Sequence, residues 1–492
     1  MPPNELPRSG ALNLTHKYSF FQKCDKIDNK KQKVNRMEKI YKRNWETEFY
    51  GLEFKDKRLK KRFFQVMEAI STSPDKSILC AAGTRISAKA AYRLFANEEI
   101  TMETLLKSIS KATVEKLCQI NTERVLLLQD TTSICFGNRK GIDGMGYYCD
   151  SEQKGMMVHS CIAVTESGLP VGIIHQEAFT RKKRKDNTAT KEEKKARPIE
   201  EKEGFRWINT LRQANNIIPD RIEAVTVCDR EGDFYELFAD AQKLGEKFLV
   251  RLTQNRLTKE GEKIFDKLKS LPVQGTMMVQ VARNPKEHTP SRKAAMEIRW
   301  EKQNIKKPAR RKEKTLPDTL PLTAIYVRES GKKDGLSWFL LTNNEVKNWE
   351  DAEREIRSYA QRWKIERFHF VLKNGCKIEE KQSRSYECLK LLTLLYSVIA
   401  LQILNLTYLG RLCPDLPAEL FFEDWEWKVL YCAARKTKIL PSEHYCIQEV
   451  IYDLASLGGR KGAPSDGIPG AKSLWEGMLK LYTLLEYREF LV

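Results

Sequence analysis

Histidine is scarce, with 6 in 492 residues, and the 12 cysteines include no Cys-x-x-Cys pair. His16, His159, His175, His288, His369 and His444 form no zinc-type cluster with them, which argues against a zinc finger. No apolar core of signal-peptide length occurs over residues 1–35, so a cytoplasmic setting with reduced thiols is expected. The most apolar stretch, 389–412, is interrupted by Lys390, Gln402, Asn405 and Arg411, and reads as a buried helix rather than a membrane span. No internal repeat is evident. What the chain has in excess is positive charge: 86 Lys and Arg against 66 Asp and Glu, a formal net charge of +20. Such an excess points to a polyanionic partner, nucleic acid before an anionic membrane surface. An apolar share of 41% excludes a fully disordered chain. The length leaves room for about three domains.

Residues 1–40 are polar, Lys-rich and without a steady period, as in a flexible basic arm. From 45 to about 110 the apolar period is helical, with Lys57, Arg58, Lys60, Lys61 and Arg62 at the front of the block. That pattern suits a small helical DNA-binding domain with Arg58 and Arg62 as contacts; a solvated helix face has the same appearance. The period then changes. Strands are expected at 125–128, 156–165, 169–179, 222–228 and 247–252, with helices at about 203–215 and 234–244. Three strands, a helix, a strand, a helix and a strand resemble the ribonuclease H-like order. The run 181–197, with nine basic and three acidic residues, reads as an exposed loop. Short alternating segments at 276–281, 295–300 and 323–327 and a strand at 338–341 form a β-rich insertion, with the basic stretch 306–314 between them. A long helix is expected from about 348 to 373, then a mostly helical remainder broken by a Gly-rich loop at 458–470 before a last helix at 473–487.

Asp130 and Asp229 each follow an apolar run that reads as a strand. Carboxylates at adjacent strand ends can hold a hard, oxygen-seeking cation. A third carboxylate from a packed helix could complete a two-metal site for in-line phosphodiester cleavage. An Asp after a strand is also ordinary turn or cap chemistry, and for either residue alone that plainer reading is favoured. The long helix is more specific. Tyr359, Arg362, Glu366 and Lys373 return to nearly one side of a 3.6-residue helix. One acid between basic groups suits the meeting of a metal ligand with a phosphate backbone, though a salt-bridged solvent face remains the competing account.

These residues resemble the DDE transposases of bacterial cut-and-paste elements, specifically the insertion-sequence-four family and its transposon-five-like branch. The likeness rests on Asp130-Thr-Thr132, on Asp229-Arg-Glu-Gly-Asp233 and on the Y-(2)-R-(3)-E-(6)-K signature of Tyr359, Arg362, Glu366 and Lys373. Supporting segments are Tyr92-Arg-Leu-Phe95, Val158-His-Ser160, His175-Gln-Glu177, Phe248-Leu-Val-Arg251, Leu457-Gly-Gly459 and Leu474-Trp-Glu-Gly477. The resemblance implies an α/β fold: a ribonuclease H-like catalytic core with a β-rich insertion, flanked by helical N-terminal and C-terminal domains. The expected divisions are 1–40 (arm), 41–115 (DNA-binding), 116–254 and 342–410 (core), 255–341 (insertion) and 411–492 (dimerisation).

By the same resemblance Asp130, Asp229 and Glu366 are the metal-binding catalytic triad, taking two Mg²⁺ ions when DNA is bound, with Mn²⁺ able to substitute. Tyr359, Arg362 and Lys373 grip phosphates near the scissile bond, and Arg251 matches a basic residue near the site. Trp338 matches a tryptophan that stacks on a flipped base, or is simply a core residue of its strand. The implied activity is cleavage of both strands at transposon ends through a hairpin, then joining of the 3′ ends to target DNA. The implied partners are end DNA, target DNA and a second copy, in the bacterial cytoplasm at the nucleoid and with no membrane. Phe370 stands where the transposon-five enzyme has a lysine. The arm before Trp45 is also longer, so end specificity does not carry over. A non-catalytic DNA binder, either a transposition inhibitor or a domesticated protein, is the alternative. A stand-alone ribonuclease H-like nuclease is a third reading, disfavoured because simple cleavage needs none of the flanking domains.

Overall fold

The computed structural model describes residues 12–13, 44–137, 139, 141–149, 153–182, 190, 193, 197–281, 292–309, 311, 315–442, 444–462 and 467–487. Most of the expected arm, much of the basic run at 181–197 and part of the basic stretch at 306–314 lie outside the described residues.

In chain order the elements begin with a two-residue strand β1 (Leu12–Asn13) inside the expected arm. Helices α1 (Trp45–Glu48), α2 (Lys57–Thr72), α3 (Ile78–Ala81), α4 (Arg85–Phe95) and α5 (Met102–Ile120) follow. Next come β2 (Arg124–Gly137), β3 (Lys154–Thr165), β4 (Pro170–Phe179), α6 (Phe205–Asn215), β5 (Glu223–Cys228), α7 (Tyr235–Leu244) and β6 (Lys247–Arg251). The order expected from the sequence is therefore found. The following stretch holds α8 (Ile264–Ser270), β7 (Gly275–Val281), β8 (Arg292–Lys306), β9 (Thr319–Glu329) and β10 (Ser337–Thr342). The C-terminal part holds α9 (Trp349–Ala360), α10 (Trp363–Phe370), α11 (Tyr386–Leu412), α12 (Asp424–Arg435), α13 (Ile447–Leu457) and α14 (Ala471–Glu486).

The chain divides into two units, one of Met1–Lys17, Glu123–Asp130 and Thr190–Ile365, the other of Tyr18–Thr122, Thr131–Ala189 and Glu366–Val492. The first is built on a mixed sheet ordered β1-β7-β8-β9-β10-β6-β5-β2. β2, β5 and β6 run parallel, and the apolar runs 125–128, 225–228 and 248–250 are buried throughout, as parallel strands covered on both faces require. β7 and the ends of β8 instead alternate buried and exposed residues, the pattern of antiparallel strands with one solvated face. β10 pairs antiparallel with β6, so the β-rich segment extends the sheet directly. The core of this unit gathers Trp207 and Leu211 from α6, Leu237 and Phe238 from α7 and Leu268 from α8 against Phe248, Val250, Tyr326 and Leu341 of the strands. Phe238 stacks on Phe248 with ring centroids 5.0 Å apart. A buried ion pair fixes α9: Arg124 of β2 donates to Glu355 at 2.6 Å, and Asn344 donates to the same oxygen at 3.0 Å.

In the second unit β3 and β4 form an antiparallel hairpin, and α11 supplies the core helix. α11 is apolar on every side, so no amphipathic stripe survives and the whole helix must be covered. Of its most apolar 18-residue window, 83% is buried within the protein. Polar contacts index it: Gln176 of β4 donates to Ser397 at 3.0 Å, and Asn405 donates to the Pro170 carbonyl at 2.5 Å. α13 and α14 cross closely at Gly477, where a Cβ would fall 1.9 Å from the Leu454 carbonyl oxygen. The Leu474-Trp-Glu-Gly477 motif thus has a packing reason within the chain.

Two sequence expectations change. Asp130 does not end its strand: β2 continues to Gly137, because Ile134 and Phe136 are buried with half-buried residues between them. The long helix is not continuous. Gln361 and Arg362 donate to Ser358 and Tyr359, and Lys364 and Ile365 to Gln361 and Arg362, at 2.9–3.1 Å. Each is a three-residue bond that tightens the coil between α9 and α10. Val371–Gly375 then widens into a π-helical turn, closed by the Cys376 amide on the Val371 carbonyl at 3.0 Å. No proline or glycine at 361–362 announces the break, so the sequence pattern reads straight through it.

Candidate active site and nucleic-acid interface

The parallel register brings the two aspartates level. Leu128 of β2 faces Val227 of β5, and two residues further along stand Asp130 and Asp229. Both aspartates thus stand two residues beyond the last pair of this ladder, at the same end of neighbouring strands. The next pairing, Cys228 with Val250, carries Arg251 level with Asp229 in the same way. Asp229 caps a short 3-10 turn (Arg230–Gly232) by accepting the Glu231 amide at 2.8 Å. Gly232 is needed there, because a Cβ would lie 2.6 Å from the Cβ of Cys228. Asp233 closes the motif from within. Its carboxylate accepts the Thr253 and Gln254 amides at 2.7 and 2.9 Å and the Arg256 guanidinium at 3.0 Å. Both Asp233 and Arg256 are buried, so the pair latches the end of β6 to the turn behind Asp229.

Near Asp229 stands Tyr359, which in turn meets Arg362, Arg251 and Trp338. Tyr359 and Trp338 are both buried and meet edge to face with centroids 5.7 Å apart. Burial pushes the Tyr359 hydroxyl's pKa up; the Arg362 and Arg251 charges pull it down, and the Asp229 charge raises it. The Arg362 guanidinium lies 6.0 Å from the Tyr359 ring centroid and is itself buried. Burial lowers the pKa of Arg251, and the nearby charges of Arg230 and Arg362 lower it further while Tyr359 opposes them. Trp338, read either as a base-stacking residue or as a core residue of its strand, is in this structure a buried partner of Tyr359.

Glu366 and Lys373 belong to the other unit, whose boundary falls between Ile365 and Glu366. Glu366 is half-buried on α10, and Ile365 and Phe368 are fully buried, as expected of the core side. Lys373 lies in the π-helical turn, and its charge adds to the burial that pushes the His369 pKa down to about 3. Phe370 packs on Trp475 of α14 with centroids 5.6 Å apart, under the Arg367 guanidinium at 4.6 Å, so the departure at this position serves packing. Beyond the π-helical turn a short 3-10 turn (Ile378–Glu380) follows. Lys381 is buried, donating to the Pro74 and Lys76 carbonyls at 2.6 Å each.

Among the described residues no three His, Cys, Asp or Glu side chains are gathered as a metal site. The donor chemistry of Asp130 and Asp229, hard oxygens on neighbouring strands, nevertheless fits a hard divalent cation.

In the N-terminal helices Arg58 and Arg62 are exposed on α2, and Arg58 bonds back to Asp56 at 3.3 Å. A second basic face was not legible as a site. α3 and α4 are joined by a turn at Gly83, whose φ is +73°, and Thr84 caps α4 by accepting the Ser87 amide at 3.1 Å. α4 buries Ala88, Ala91, Leu94 and Phe95 and exposes Arg85, Lys89 and Arg93, spaced four apart, with Ile86 83% exposed. A helix, a glycine turn and a second helix with basic residues from its first turn onward is an arrangement that enters a major groove.

The comparisons with known proteins fall on these same parts. Residues 42–100 match the family model for a transposase DNA-binding domain, and residues 398–490 match the model for the Tn5 transposase dimerisation domain. Both models describe transposase domains. Together they support a Tn5-like transposase with DNA as partner and a dimer as assembly. The first match contains α1–α4, including the exposed basic face of α4; the second runs from within α11 through α14. A cryo-EM structure of the piggyBac transposase synaptic complex with hairpin DNA is similar at 10% identity over 98% of this chain and 84% of that one, with a TM-score of 0.37. A likeness that faint adds nothing to the argument.

Proposed function

We propose that the chain is a cut-and-paste DNA transposase of the DDE type, with a ribonuclease H-like core, that binds transposon ends, cleaves both strands through a hairpin and joins the 3′ ends to target DNA. The observation that carries this reading is the register that sets Asp130 level with Asp229, on a chain whose flanking segments match two transposase domains. Asp130, Asp229 and Glu366 would hold two Mg²⁺ ions, or Mn²⁺, which supply polarisation of the attacking and leaving oxygens. Arg251, Arg362 and Lys373 bind phosphates flanking the scissile bond, where guanidinium groups can donate in pairs to two oxygens. Tyr359, wedged between Trp338 and Arg362, orients that arginine. In the first step water attacks phosphorus and the 3′ oxygen leaves as a hydroxyl. That hydroxyl then attacks the opposite strand, and the hairpin is opened before the 3′ ends attack target DNA. Arg85, Lys89 and Arg93 on α4 meet the end sequence, with Arg58 and Arg62 as neighbouring backbone contacts.

The test incubates the protein and its Glu366→Gln variant with the DNA that flanks the gene, with and without magnesium. Metal-dependent nicking at the element ends is expected, reduced on the order of 10³-fold in the variant. Equal binding by both proteins with no nicking by either would replace this reading with the non-catalytic binder.

A further inference from the structure

At one margin of the first unit's sheet, the outer side of β7 is paired over part of its length. β1 meets it antiparallel at two positions, Leu12 opposite Val281 and Asn13 opposite Gln280. Among the described residues no strand pairs with Gly275–Val279 on that side, although β8 pairs with all of them on the other. A strand edge of that length presents a row of amides and carbonyls ready to accept another strand.

The edge also dictates what can join it. β7 alternates strictly: Met277 and Val279 are buried and face the buried Met296 and Ala294 of β8, whereas Thr276 is exposed and Met278 is 59% exposed. An added strand must carry the same alternation in the same phase, because a slip of one residue turns every side chain to the wrong face.

The sequence that continues from β1 meets this condition. Leu12-Asn-Leu-Thr-His-Lys17 is apolar at 12 and 14 and polar at 13, 15 and 17, with no proline or glycine. Carried on beyond Asn13, the register of β1 sets Leu14 opposite Val279, Thr15 opposite Met278, His16 opposite Met277 and Lys17 opposite Thr276. Leu14 then joins the buried row, and Thr15 and Lys17 join the solvated one. A lysine on the new outer strand also discourages further strand addition. Residues up to Lys17 belong to the same unit as β7.

We propose that the outer edge of β7 is a docking site for the chain's own residues Leu12–Lys17, which close the edge by strand addition and keep two copies from pairing edge to edge. Continuity with the β1–β7 pairing names the occupant, and the shared phase of alternation explains its fit. The proposal needs neither DNA nor metal and stands apart from the catalytic reading.

The experiment follows amide hydrogen exchange in the full chain, without DNA and over a range of protein concentrations, with light scattering alongside. Wild type is compared with Leu14→Asp and Thr15→Asp. In wild type the amides of 14–17 and of Gly275–Val279 should exchange at least about tenfold more slowly than in Leu14→Asp, which puts a charge on the inward face. Thr15→Asp, one residue along and facing solvent, should keep the wild-type rates. Unchanged protection of β9 and β10 in all three proteins shows that the sheet itself is intact. Fast exchange at 14–17 in all three, or equal sensitivity to both substitutions, overturns the proposal. Protection that appears only as the mass doubles also overturns it, by giving the edge to a second copy.

Discussion

Two groups of buried or partly buried cations in this protein look alike in sequence and differ in what surrounds them. Arg124 and Arg256 each face a buried carboxylate, and Lys381 sits among carbonyl oxygens. Arg251 and Arg362 stand at one tyrosine, Tyr359; burial lowers the Arg251 pKa, Tyr359 raises it, and Arg230 and Arg362 lower it. The first group holds elements together: α9 to β2, the end of β6 to the turn behind Asp229, and the segment after the π-helical turn to the α2–α3 connection. The second stands at the tyrosine beside Asp229, where Arg251 also donates to the Ser337 carbonyl at 3.3 Å. A buried cation whose carboxylate comes from a distant element ties the two elements together, whereas the pair at Tyr359 stands where phosphate contacts are proposed.

The largest effect should come from unpairing a scaffold cation. Glu355→Ala removes the buried carboxylate of Arg124, with the partly exposed Glu223 carboxylate still 3.6 Å away, and should cost about 3–5 kcal/mol in chemical denaturation. A cost below about 1 kcal/mol would break the distinction. Lys381 offers a pH test. Burial lowers its pKa from the ordinary 10.5 to about 8, with Cys376, Asp75 and Glu380 raising it and Lys377 lowering it. Between those values the unfolded chain binds a proton that the folded chain does not, so stability should rise with pH across the window and be lost as pH falls through about 8. The slope approaches about 1.4 kcal/mol per pH unit and should be absent from Lys381→Met. Matching profiles for the two proteins would show that the ammonium is not held as described. The smallest effect sharpens the other side. Arg251→Met should leave stability unchanged or raise it by about 0.5–1 kcal/mol while weakening DNA binding. A clear loss of stability would move Arg251 into the scaffold group.

Much of the fold could be read in advance because period and burial agree. The apolar runs at 125–128, 222–228 and 247–252 read as strands, and their buried stretches 125–128, 225–228 and 248–250 are the parallel core of the first unit. α8 was missed because seven residues give too little period to separate a helix from an irregular loop. Gly232 and Asp233 were visible as parts of a motif. Their reasons, a 2.6 Å approach to Cys228 and a latch on residues 253–256, depend on neighbours far along the chain.

The sequence by itself determined the element order, the positive charge, the buried character of α11 and the identity of the acids and bases that carry the proposed chemistry, since all of these follow from local pattern and composition. Only the tertiary structure decided which cations meet carboxylates of distant elements. It also decided that Trp338 is buried on Tyr359, that Lys381 is a buried capping group, and that the long helix tightens at 361–362 and widens at 371–375. The physical reason is common to them: a charge or a helix turn takes its meaning from what packs against it, and those partners come from distant parts of the chain.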